Sequence, residues 1–310
     1  MKRNLFIFML LLWHTAGFAK NPPWMASNEK IPAYTNLDIR WQDAPKFPRK
    51  VWVYEVLPNT FSPEIISNVM TLCSFTEKDK VEDDKNGMVF QGENAARSLS
   101  VSFSSGEIQY ETPERRYGPT NLAVDVPQVS QLPFIATNLL RRLGINFSDI
   151  VGYSNTNRIE YLAPAMTLFY AGNDTITNIP YRTILFKRSV DGMPIAHRND
   201  RINVGEHGMV SGISITWPKL KRIKSYRTIS PKEVVKFLRA GNAVHGPVPT
   251  NIGGIDWSSI KSLRIKKAIP SYQLDGDRLF PFLYLDAIVD MGDGTVEIGM
   301  GCPLIDESKL

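Results

Sequence analysis

The sequence predicts an α+β protein in which antiparallel sheets are each packed by a helix, in repeated units. Three observations carry this expectation. Short segments alternate polar and apolar residues, which is the two-residue period of a half-buried strand. Turn signals separate them, notably Asp191-Gly192 and Glu206-His207-Gly208. Three stretches instead repeat apolar residues at three and four, and two of these open on Ser-Pro. A serine oxygen caps a helix start, and proline there has its φ already set.

Taken in order, Val51 to Val56 is the first clear strand, rich in β-branched and aromatic residues. Ser62-Pro63 opens a helix with Ile65, Ile66, Val69, Met70 and Cys73 on one face. Residues 76 to 87 read as a charged loop. Leu99 to Phe103 alternates, Ser105-Gly106 turns, and Ile108 and Tyr110 alternate back as a hairpin. The second helix places Leu132, Ile135, Ala136, Leu139, Leu140 and Leu143 on a stripe, with Gly144 as its stop. Strands are expected at Arg158 to Leu162 and Ala165 to Tyr170, then at Arg201 to Val204 and Val210 to Trp217. The third helix runs from Pro231 to Arg239 and ends at Gly241. The tail adds strands at Leu263 to Lys267, Phe282 to Val289 and Val296 to Met300.

Each helix is followed by antiparallel strand material, which divides the chain into units at 49–126, 127–228 and 229–310. Residues 20–48 precede them as an arm, where Pro22, Pro23, Pro32, Pro45 and Pro48 disfavour a helix or a central strand. Trp24 and Trp41 are candidates to pin it onto the body. Residues 1–19 read as a signal peptide. Lys2 and Arg3 precede the apolar run from Leu5 to Trp13, and Gly17 and Ala19 fit a cleavage site before Lys20. The expectation is a periplasmic or secreted protein without a stable membrane anchor, since no later run approaches the roughly 20 apolar residues of a membrane helix.

The apolar content of 43% is ordinary for a globular chain with a substantial core. The formal charge is +5, from 36 basic and 31 acidic residues. Without Lys2 and Arg3 the balance is 34 against 31, or +3. Most of the excess lies in Lys219 to Arg227 and Arg264 to Lys267. Only Tyr226 is interleaved there, which does not suit a nucleic-acid module, so the stretch reads as a solvated basic link, the alternative being a binding patch for an anionic partner. The two cysteines, Cys73 and Cys302, are too few for a disulfide scaffold. They are a candidate single bridge in an oxidising compartment, or else two buried free thiols.

The run from Gly192-Met193-Pro194-Ile195 through Gly208 and Thr216-Trp217 to Ile229-Ser230-Pro231-Lys232-Glu233-Val234 resembles the extracytoplasmic YycH/YycI-type regulators of bacterial two-component systems. It resembles PepSY-like domains more distantly. Leu143-Gly144-Ile145 fits the ending of that group's second helix. The resemblance covers about Gln128 to Leu238 and rests on turns and core positions. It implies repeated PepSY/YycI-like units and a non-catalytic, protein-binding or regulatory role, and it carries over no catalytic residue. The cleavable leader departs from the uncleaved anchor of those regulators.

Candidates for chemistry are sparse. His197 and His207 lie on opposite sides of one expected hairpin, with His245 further on, but two histidines lack a third zinc ligand. Asp275-Gly276-Asp277 and Asp290 to Gly294 resemble fragments of calcium loops without the closing Glu, and Asp-Gly is also a common hairpin turn. Gly253-Gly254 lacks phosphate-loop spacing, and no G-x-S-x-G is present. Glu55, Glu107, Glu111, Asp286 and Asp290 fall on expected strands with no pair singled out for glycosidase work. Trp52, Trp217 and Trp257 suit either a carbohydrate groove or core packing. No catalytic, cofactor or metal residue is therefore assigned. The expectation is a non-enzymatic protein acting on another envelope protein. The alternatives are a secreted hydrolase with an unrecognised site and a structural envelope component.

Overall fold

The computed structural model describes residues 29–306, apart from 31–32, 34–35, 44, 60, 93–95, 113–120, 151–158, 163–166, 172–173, 197–199, 246–256, 276 and 293. The leader, Trp24, His197 and Gly253-Gly254 lie outside the described residues.

The chain is mostly β, built on two eight-stranded sheets, each with its own core. This corrects the expectation of α+β units in which each helix packs its own antiparallel sheet. Two helices, α1 (Pro63–Leu72) and α2 (Leu132–Arg142), share one sheet and one core. The third, α3 (Pro231–Arg239), belongs to the other. The reason lies in strand pairing. Alternation says which face of a strand is buried, but it does not name the neighbouring strand.

The mid-chain sheet is antiparallel throughout. Its order is Lys80–Asp83, Gly87–Gln91, Ser98–Ser102, Glu107–Glu111, then Val210–Thr216, Asp200–Val204, Arg182–Phe186 and Glu160–Leu162. Two runs of neighbouring strands therefore meet where Glu107–Glu111 pairs with Val210–Thr216, about a hundred residues on. Phe90, Leu99, Ile108, Ile184 and Ile202 are fully buried or nearly so against Val69, Cys73, Ala136 and Leu140 of the helices. Each such side chain contributes about 1.5–3 kcal/mol on leaving water. Gly144 has φ +69 and faces Ile65 so closely that a Cβ would lie 2.6 Å from its Cδ1. The helix stop is thus also the place where α1 crosses α2, and Asn68 donates there to the Arg142 carbonyl at 3.0 Å.

The chain-end sheet draws on both ends of the sequence. Its order is Glu29–Lys30, Val244–His245, Thr295–Pro303, Arg278–Asp290, Ser262–Asp275 and Asp38–Trp41. The last pair, Ser262–Ile265 with Asp38–Trp41, is parallel, so the sheet is mixed. The proline-rich arm thus supplies two short strands at its edges. Val234 and Leu238 of α3 pack into its core with Leu263, Leu283, Val289 and Cys302. Ser230 Oγ accepts from the Glu233 amide, while Glu233 accepts from the Ser230 amide at 2.6 Å, completing a capping box. That bonding holds the Glu233 carboxyl below its usual range.

Two segments differ from the sequence reading. Residues 76–87 form a short helical turn, the strand Lys80–Asp83 and a turn into Gly87–Gln91. The basic stretch Lys219–Arg227 is a nine-residue strand rather than a link. Both escape the alternation test because most of their side chains are exposed and no apolar residue recurs at every second position. Among the described residues, no helix is long and apolar enough to cross a membrane.

Candidate interaction edge

Lys219–Arg227 pairs antiparallel with Lys50–Leu57, and this ribbon joins the chain-end sheet where Glu55 and Tyr54 meet Arg278 and Leu279. Among the described strands, nothing pairs with the far side of Lys219–Arg227. That side presents backbone N–H and C=O groups to solvent, as any sheet edge does.

The register between Arg222 and Lys224 skips Ile223, which forms a bulge and is 47% exposed. A bulge inserts one residue, so it reverses the face on which the following side chains lie. Lys219 and Lys221 lie opposite Leu57 and Glu55, and Lys224 opposite Val53, all on one face of the ribbon. Arg222 lies opposite Tyr54, and Arg227 opposite Lys50, on the other. Both faces of the edge are positive.

Part of this charge is tied down. Lys221 pairs with Glu55 at 3.1 Å. The Arg222 guanidinium lies over the Trp52 ring at 5.2 Å and donates to Asp191 Oδ1 at 2.7 Å. Tyr54 donates to the other Asp191 oxygen, and Arg222 Nε donates to the Tyr54 hydroxyl at 3.3 Å. Burial raises the Tyr54 pKa, the Asp191 bond adds to this, and Arg222 opposes it. Asp191 is placed by the tight hairpin Ser189–Pro194. Asp191 and Gly192 both have positive φ, 51° and 76°, the requirement of a type I′ turn. Met193 of the hairpin enters the chain-end core, and just beyond it Ile195 bridges Tyr272. Tyr272 is fully buried, edge-on to Tyr54 at 5.5 Å between ring centres. Its hydroxyl has no hydrogen-bond partner of ordinary geometry, with Tyr54 and the Trp52 backbone as polar neighbours.

Lys219, Lys224 and Arg227 form no ion pair among the described residues; Lys224 rests over the Tyr226 ring at 5.0 Å. At the Arg227 end the edge runs into a small hollow of about 70 Å³, lined by Tyr226, Arg227, Thr228, Ile229, Glu233 and Asp306.

The residues singled out from sequence are mostly dispersed. Cys73 is buried in the mid-chain core and Cys302 in the chain-end core, and no disulfide joins them. His207 stands on an exposed turn 3.3 Å from Asp125, and His245 falls in a two-residue strand. Among the described residues, no three His, Cys, Asp or Glu side chains gather as a metal group would require. Asp275 closes a hairpin opposite Arg278, and Asp290 accepts from the Gly292 amide at 2.8 Å, so both act in turns. Trp52 and Trp217 pack against different cores, beneath Arg222 and Arg188 respectively. The sequence reading missed Tyr54, Arg222 and Tyr272. The Asp191-Gly192 turn was legible, but its docking onto a strand 137 residues earlier was not.

No protein-family model and no curated protein matches the chain. Among solved structures it is similar to the Bacillus megaterium YpeB C-terminal domain, with 9% identity and a TM-score of 0.34, covering 76% of this chain and 91% of that one. Similarity at that level carries no argument about this chain's activity.

Proposed function

We propose that this is a non-enzymatic binding or regulatory protein, acting outside the cytoplasm on another envelope protein, as the likeness to YycH/YycI-type and PepSY-like proteins implies. The observation that supports it is the open, positively charged edge Lys219–Arg227. An edge strand offers main-chain hydrogen bonds to an incoming strand, a recurring mode of peptide recognition. The Tyr54, Asp191 and Arg222 bonds hold that edge in one conformation, which lowers the ordering cost of binding.

The test is site-specific photo-crosslinking in the native host, with the reactive group at Ile223 and, for comparison, at Val81 on the edge of the other sheet. The expected result is an envelope protein captured from position 223, absent from position 81, and lost when Lys224 and Arg227 are both changed to Glu. Equal capture from both positions defeats the assignment of the edge. N-terminal sequencing of exported protein checks the compartment: a start at Lys20 agrees with it, and retention of Met1 does not.

A further inference from the structure

We infer that the partner presents an extended segment with acidic residues on both of its faces, which adds as a strand to Lys219–Arg227. This inference rests on the binding function proposed above and specifies the chemistry of its partner.

The argument begins with the bulge. A regular strand places alternate side chains on one face, so a partner could satisfy a basic face with acids at every second position. Here Ile223 breaks the alternation, with Lys219, Lys221 and Lys224 on one face and Arg222 and Arg227 on the other. An incoming strand also alternates, so its neighbouring residues meet cations on both sides. Acids on both faces of that strand complement the pattern, such as a pair three positions apart opposite Lys224 and Arg227, and acids at every second position do not.

Lys221 and Arg222 are compensated by Glu55 and Asp191, whereas Lys219, Lys224 and Arg227 have no ion pair among the described residues, and Arg227 acts at longer range on the Glu233 carboxylate. Two of these three cations lie toward the Arg227 end. The incoming acids therefore align with Lys224 to Arg227. Exposed Ile223 supplies an apolar contact beside them. A second copy of this strand is excluded as occupant, since like charges across a strand pair are destabilising. Pairing in the antiparallel sense continues the geometry of the ribbon.

The probe is a capped nine-residue peptide of Glu, Val and Thr with two glutamates three positions apart, measured against the whole protein by fluorescence anisotropy. Three control peptides replace Glu by Lys, Glu by Gln, or the central residue by Pro. The expected result is saturable binding that weakens with salt, with slower amide exchange confined to Lys219–Arg227. It falls about tenfold in the Lys224→Glu, Arg227→Glu double variant and less in the double Ala variant, which guards against misfolding. The Gln and Pro peptides bind more weakly.

Equal binding of Gln and Glu peptides, with protection still at the edge, overturns the acidic-partner inference and leaves the binding function standing. Protection elsewhere, or no binding by any peptide, overturns both the inference and the edge as the site. Concentration-dependent self-association that the charge reversal abolishes would make Glu82–Asp84 of a second copy the acidic segment, and would overturn the proposal of a separate envelope protein as partner.

Discussion

The two sheets solve the problem of exposed edges in different ways. The mid-chain sheet ends on Lys80–Asp83, four residues long, bulged, and mixed in charge, with Lys80 held by both Glu77 and Asp83. Little is left for a partner strand to grip. The chain-end sheet carries a nine-residue edge whose charge is all of one sign. Both are bulged and both are charged, so neither device alone distinguishes a blocked edge from an available one. Length and charge balance do. A short strand with charges of both signs offers little grip, and a long one with charge of a single sign repels its own kind while remaining open to acids.

The largest effects come from the cores and ask whether the two sheets behave as one unit. Leu140→Ala in the mid-chain core and Leu283→Ala in the chain-end core are each expected to cost about 2–5 kcal/mol in urea unfolding. Both side chains are fully buried. Met193 and the Asn59 bond to the Trp217 carbonyl cross between the sheets, so either substitution should shift a single transition. Cys73 and Cys302 provide one probe per core. Neither should react in the native protein, and both should become reactive together. Two separated transitions, or staggered thiol exposure, would show the sheets to be independent.

Alkaline pH tests the cores in another way. Burial pushes the Tyr110 hydroxyl up to about 12 in the mid-chain core, and raises Tyr272 and Tyr54 in the other. The Cys73 thiol is also raised by burial. All four are neutral below their unfolded pKa values, where their contribution is complete. Above about pH 9 for the thiol and 10 for the tyrosines, the unfolded chain loses protons first, and stability falls until the folded groups ionise. Urea midpoints measured from pH 8 to 12 should decline over that window. Tyr110→Phe should lessen the decline, and an unchanged slope would remove Tyr110 from the explanation.

Tyr54→Phe removes one bond of the cluster that holds the basic edge, while Asp191 keeps Arg222. The expected loss is about 1 kcal/mol. Faster amide exchange should appear in Ser189–Pro194 and Lys219–Arg227 and leave the Lys80–Asp83 edge unchanged. A uniform increase would mean that the cluster does not act locally.

The smallest contrast lies between the two Ser-Pro helix starts. Ser230 and Glu233 make a reciprocal box, whereas Ser62 accepts only from the Ile65 amide at 3.3 Å. Ser230→Ala should cost about 1 kcal/mol and Ser62→Ala less. The reverse order in thermal denaturation would show that the second half of the box contributes nothing.

Sequence alone determined the elements whose signal is local. The helix starts at Ser62 and Ser230, the stop at Gly144, the Asp191-Gly192 turn and the strands around Val53, Val101 and Ile202 were all legible, because caps, positive-φ turns and apolar periodicity act within a few residues. Tertiary structure decided the partners. It put α1 and α2 on one sheet in place of repeated units, and made a strand of Lys219–Arg227 through its pairing with Lys50–Leu57. It also brought Tyr54 to Asp191. The physical reason is common to all three. Local periodicity shows which face of an element is buried, and only a partner distant in sequence fixes what that face and its main-chain groups meet.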